Sequence, residues 1–225
     1  MNHQNVSLKR IAALILSCVL LLGSLAGCAG KPTEDVSSGP EAPANTYTPQ
    51  VNEDGYIIIT MPITLLGGNP AKDLEKQHNS KIASMSEEEI AQLAWTKLVA
   101  NKDGSLDYYF TPEQLERTKE TAYMAGQLIE SSTNTYPADY IKGATYTDID
   151  ENGVPWGLIV SVDGKTYTSF ELVYSYYATL SPAVYIGMYQ IFCGIPGDEW
   201  AVHVTVKDAE TGEVISETDF PTRDE

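Results

Sequence analysis

The chain has 225 residues, of which 43% are hydrophobic and 20% charged, and a formal net charge of -17. That composition excludes a disordered polymer and a multi-span membrane protein and suits a globular body. The excess of acid also argues against nucleic acid or anionic lipid headgroups as partners.

The N-terminus carries Lys9 and Arg10, then an uncharged apolar run over residues 11–27 that closes in Leu25, Ala26, Gly27 and Cys28. A basic segment followed by an apolar core is the layout of a secretory leader. The last four residues resemble the lipobox of bacterial lipoproteins. That resemblance implies cleavage before Cys28, a diacylglycerol thioether on its sulfur, and a location on the outer face of the cell membrane. Loss of the leader takes away Lys9, Arg10 and no acid, so the charge moves from -17 to -19. It also takes away Cys18, and lipid blocks Cys28. Cys193 is then left as the one thiol, expected as a buried apolar side chain with no disulfide in the fold.

Residues 28–50 form the lipidated N-terminus and a tether rich in Pro, Ser, Thr, Gly and acids, with too little apolar surface to bury. A single globular domain is expected over residues 51–225. It opens with a β-branched run, 56–61, that reads as a buried strand. Asn69 and Pro70 begin a short helix to about His78. Ser86 and Glu89 have the spacing of a capping box, predicting a second helix to about Ala94. Residues 97–100 and 106–110 flank a turn through Asn101, Lys102, Asp103 and Gly104 and predict a hairpin, with Leu106, Tyr108 and Phe110 alternating onto one face. Thr111, Pro112 and Gln114 then cap a long helix to about Ser132, its buried stripe drawn from Leu115, Ala122, Ala125 and Ile129.

Residues 141–149 and 156–162 read as a strand pair, the second presenting Trp156, Leu158, Val160 and Val162 on one side. Residues 172–197 carry no charge at all, and their tyrosines, Pro182 and Gly187 favour a buried helix, kinked or broken near Ser181 and Pro182, over a membrane span. The chain closes with a hairpin in which Val202, Val204 and Val206 face the core and His203 faces outward. The elements together predict an α+β fold: one antiparallel sheet of about seven strands, built from hairpins and packed by two or three helices, one of them nearly fully buried.

Candidate sites are few. Asp148, Asp150 and Asn152 occupy positions 1, 3 and 5 of a calcium-loop pattern, but its twelfth residue is Ile159 where a bidentate acid is required, and a turn between strands accounts for the same residues. Gly164, Lys165 and Thr166 resemble the end of a phosphate loop whose earlier glycine is again replaced by Ile159. No nucleophile, metal or redox motif with proper spacing is present, so no catalytic residue, resident metal or cofactor is assigned. Fourteen tyrosines suggest a stacking surface for sugars, with Tyr108, Tyr140 and Tyr146 as the aromatic candidates.

Asp54, Gly55, Met61 and Pro62, the run 102–105, the run 188–194 leading into 202–208, and residues 211–215 resemble small lipoproteins of Gram-positive, often gut-dwelling, Firmicutes. The likeness spans residues 52–220 and departs from the usual pattern in the longer 72–94 segment. That group has no established activity, so the resemblance implies an extracellular lipoprotein and contributes no catalytic residue. A non-enzymatic binding or accessory module for an envelope protein or peptide is the function expected. A solute- or glycan-binding lipoprotein is the alternative, and a hydrolase whose carboxylate pair converges only in space is the third reading.

A Cys28→Ala chain is expected to lose its lipid and, once the leader is cleaved, to leave the membrane fraction. A cleaved chain that stayed wholly membrane-bound would contradict the lipobox.

Overall fold

A computed structural model describes residues 47–67, 69–127, 140–169 and 175–222. Their elements in chain order are β1 (Ile57–Met61), a 3-10 turn (Ile63–Leu65), α1 (Ala71–Ile82), α2 (Glu87–Ala91), β2 (Lys97–Ala100), β3 (Leu106–Phe110) and α3 (Pro112–Gln127). There follow β4 (Ile141–Ile149), β5 (Pro155–Val162), α4 (Gly164–Ser169), a π-helical turn (Tyr176–Leu180), α5 (Ser181–Phe192), β6 (Val202–Asp208) and β7 (Val214–Phe220). The fold is mixed α+β. The described chain consists of two compact units, one over Thr48–Lys119 and the other formed by Tyr47 and the residues from Glu120 onward. The division falls inside α3.

The first unit is a three-stranded antiparallel sheet in the order β1-β3-β2. Strict alternation builds it: Ile57, Ile59 and Met61 of β1 and Leu106, Tyr108 and Phe110 of β3 are buried, and the residues between them turn outward. The turn from β2 to β3 closes as expected, with Gly104 at φ 89° and its neighbour Ser105 donating both N–H and Oγ–H to the Asp103 carboxylate. Helix α1 starts after Pro70 and runs four residues beyond the expected end at His78. The side chain of Asn79 fixes it to the outer edge of β2, donating to the Leu98 carbonyl at 2.9 Å and accepting from the Leu98 N–H at 3.3 Å. A side-chain amide thus takes the pairing groups that an edge strand leaves open.

Ser86 and Glu89 form the capping box in full. The helix they start ends at Ala91, short of the expected Ala94, and side chains of α3 take the carbonyls of the residues around and after that end. Gln114 Nε2 donates to Ile90 and Leu93, Arg117 donates to Ala91 and Leu93, and Thr118 donates to Ala94. Gln114 also closes the predicted cap of α3, its Oε1 accepting from the Thr111 N–H at 2.9 Å and from Thr96 Oγ1 at 2.8 Å. All four hydrogen-bonding positions of its amide are used, and the residue is only 1% exposed. The remainder of the predicted helix, through Ile129 to Ser132, lies outside the described residues.

The second unit is a four-stranded sheet in the order β4-β5-β6-β7. The single seven-stranded sheet is therefore corrected to two sheets of three and four strands, and the pairing of β5 with β6 is parallel. The reason is connection length. Parallel neighbours need a long crossover, and residues 163–201, with α4 and α5 among them, supply it. Leu158, Val160 and Val162 face Val204 and Val206 on the buried side, while Trp156 at the strand end is half-buried. Strands β4 and β7 are the edges.

The uncharged stretch is the centrepiece of this unit. Its described helical part is a π-helical turn that passes directly into α5, ten of whose twelve residues are buried; Pro182 stands in the first turn of α5, and the helix changes type there without breaking. No helix among the described residues is long and apolar enough to cross a membrane. Gly187 lets Trp200 lie on the helix: a Cβ there would meet the indole at 2.6 Å. Gln190, fully buried, donates to the carbonyls of Pro155 and Ala201, both at 2.8 Å, and accepts from the Ala201 N–H at 3.1 Å. It ties α5 to the start of β5 and to the approach to β6.

Replacing Gln190 by Leu keeps the bulk and strands three backbone groups, the buried carbonyl of Pro155 and both groups of half-buried Ala201, so chemical denaturation should show a loss of about 2 to 4 kcal/mol. Gly187→Ala should also destabilise, measured the same way, because the indole has no room to retreat from a new Cβ without opening the core.

Candidate functional site

The outward face of the three-stranded sheet is not uniformly polar. Cross-strand register sets Ile58, Tyr109 and Lys97 in one row. Ile58 is 42% exposed, Tyr56 meets the Tyr109 ring edge-on at 6.1 Å, and Lys97 Nζ lies 5.1 Å from the centre of that ring. The next row holds Thr60, Asp107 and Val99. Asp107 accepts there from Thr60 Oγ1 at 2.7 Å and from Asn101 Nδ2 at 2.8 Å. An aromatic and aliphatic half beside a hydrogen-bonded carboxylate, with a lysine over one ring, has the make-up of a contact surface: apolar area for affinity and fixed polar groups for orientation. The signal was present in the alternation. If Leu106, Tyr108 and Phe110 face the core, Tyr109 faces out.

The outward face of the four-stranded sheet is of another kind. One row crosses all four strands as Thr147, Gly157, His203 and Asp219. His203 faces outward as expected, yet it is not simply solvated: Nδ1 lies 2.7 Å from Asp219 Oδ1, and Nε2 lies 3.8 Å from Glu217 Oε1. The hydrogen bond to Asp219, with the charges of both carboxylates, raises its pKa above the ordinary imidazole value.

The sequence candidates fall elsewhere. Tyr108, Tyr140 and Tyr146 are corrected as surface aromatics, since all three are buried and fill cores. Tyr108 lies edge-on to Trp95, Tyr140 lies near Tyr167, and Tyr146 donates its hydroxyl to the Tyr123 carbonyl. Burial pushes the hydroxyls of Tyr108 and Tyr146 well above the ordinary tyrosine range. Asp148 lies in β4, one residue before its end, and Asp150 and Asn152 stand in the turn to β5. Asp148 has φ 51°, and the Asp150 carboxylate accepts from the N–H groups of Asn152 and Val154 at 2.8 and 2.9 Å. These are turn contacts, and no three acid, His or Cys side chains among the described residues converge as a metal would need. Gly164 begins α4, but carboxylates already take its donors: Asp208 accepts from the Gly164 N–H and Asp163 from the Thr166 N–H. A phosphate would meet negative charge at that point. Cys193 is a buried thiol just after α5, and Cys28 lies outside the described residues.

No protein-family model matches the chain, and comparison with curated proteins and with solved structures yields no significant match.

Because the folded-state pKa of His203 lies above its ordinary 6.5, its contribution to stability is complete below that value and is lost as pH rises through the folded-state pKa. The melting temperature of the parent chain minus that of His203→Asn should be positive near about pH 5.5 and shrink toward zero by about pH 8.5. The histidine is exposed, so a small effect is expected.

Proposed function

We propose that this protein is a cell-surface lipoprotein, held on the outer face of the membrane by lipid on Cys28, whose folded part is a non-enzymatic binding or accessory module for an envelope protein or peptide. What supports the reading is the outward row of Ile58, Tyr109 and Lys97 with Tyr56 beside it. Burying Ile58 and the two tyrosines against a partner gains apolar area, and Asp107 with Lys97 offers a charge of each sign to fix its register. The acidic body adds long-range attraction for a basic partner segment.

A glycan is the second reading, and the same tyrosines favour it, because a sugar ring can lie on an aromatic face where a peptide side chain would otherwise dock.

A photoreactive side chain at position 58, compared with one at position 145 on the four-stranded sheet, distinguishes these readings on cells. A discrete protein adduct from position 58, reduced severalfold by Tyr109→Ser and missing from position 145, is the expected outcome. Diffuse labelling from both positions would contradict a binding face. Protection of position 58 by soluble envelope glycan fragments would move the assignment to the glycan.

A further inference from the structure

Within the unit over Thr48–Lys119, two buried polar atoms have no hydrogen-bond partner: the indole Nε1 of Trp95 and the imidazole Nε2 of His78. They belong to neighbouring rings whose centroids are 5.9 Å apart and whose planes are inclined by 45°. Trp95 is 5% exposed. Buried polar atoms are seldom left unpaired, because each has given up its bonds to bulk water.

The chemistry of the two atoms is complementary. The indole nitrogen can only donate. Burial pushes the His78 pKa below the ordinary imidazole value and the charge of Lys81 adds to this, while an interaction with the Thr96 backbone opposes it. A neutral imidazole with its proton on Nδ1 presents Nε2 as an acceptor. Neighbouring rings therefore carry a donor and an acceptor that have no hydrogen bond to each other. A carboxylate or phosphate could satisfy the indole but would give Nε2 no proton, and an ammonium would do the reverse. A hydroxyl satisfies both.

We propose that Trp95 Nε1 and His78 Nε2 form a binding site for a single hydroxyl group, which accepts a hydrogen bond from the indole and donates one to the imidazole. Both walls are preorganised. Tyr108 holds the indole edge-on with ring centroids 4.8 Å apart, and Asn79, next to His78, fastens α1 to the backbone of Leu98. Water and the hydroxyl of a small neutral solute supply the same chemistry, and the site is independent of the sheet face assigned above.

The test is nuclear magnetic resonance on the full 15N-labelled chain at about pH 7.5, above the ordinary imidazole pKa. The indole signal is assigned by Trp95→Phe or, should that chain not fold, by Trp156→Phe and Trp200→Phe and elimination among the three tryptophans. The expected result is His78 neutral with its proton on Nδ1, and a Trp95 indole proton that cross-relaxes with one long-lived hydroxyl. Glycerol and methanol are the probes. A saturable shift of the indole signal with loss of the water cross-peak assigns a solute hydroxyl, whereas a water cross-peak unchanged by either probe assigns a bound water, and both support the site. A proton on His78 Nε2, a charged His78, or an indole proton that sees neither water nor probe would overturn it.

Discussion

Each unit depends on one buried glutamine amide. Apolar alternation can assemble strands and a helix stripe, but the irregular connections between them carry carbonyls and N–H groups that follow the helices into the interior. Those groups must be satisfied there. Gln114 does this for the segment between α2 and β2, taking the carbonyls of Ile90 and Leu93 and the hydroxyl of Thr96. Gln190 does it for the segment between α5 and β6 and for the first residue of β5. In both cases one flat side chain with two donors and two acceptor positions replaces what would otherwise be another turn of helix or another strand.

The outward faces of the two sheets follow from the inward ones. In the first unit the buried run Leu106, Tyr108 and Phe110 leaves Asp107 and Tyr109 outside, and β1 adds Ile58 and Thr60 opposite them. The result is an exposed surface with aromatic character. In the second unit the buried valines of β5 and β6 leave Gly157, Ile159, His203 and Thr205 on the other face, with no aromatic residue among them and with His203 held by Asp219. The functional proposal rests on this contrast: apolar and aromatic area outside a sheet costs solubility, and a binding partner is the simplest compensation.

Much of the local structure was legible. The capping boxes at Ser86 and Thr111, the turn at Gly104, the closing hairpin and the buried uncharged helix are all written in short-range patterns, where turn chemistry and periodicity act within a few residues. The division into two sheets and the parallel pairing of β5 with β6 were not legible, because strand partnership is set by contacts between residues about 45 apart in the chain, such as Leu158 and Val204. Tyr108 follows the local pattern and not the aromatic count. Its alternation with Leu106 and Phe110 already placed it inside, and its neighbour Tyr109 was the aromatic residue to single out. Gln114 was recognisable as a cap but not as the clamp on α2, and Gln190 sat unmarked in an apolar run, where a lone amide is the signal that buried backbone groups need a partner.

The measurement that bears most directly on the organising role of the glutamines is residue-resolved hydrogen exchange under native conditions, comparing the parent chain with Gln114→Leu. Protection should fall through the N–H groups of residues 90–98 and the first turns of α3, while the amides of β5, β6 and α5, organised by Gln190, keep theirs. Unchanged protection around residues 90–98 would mean that the amide merely fills space, and the clamp would have to be abandoned.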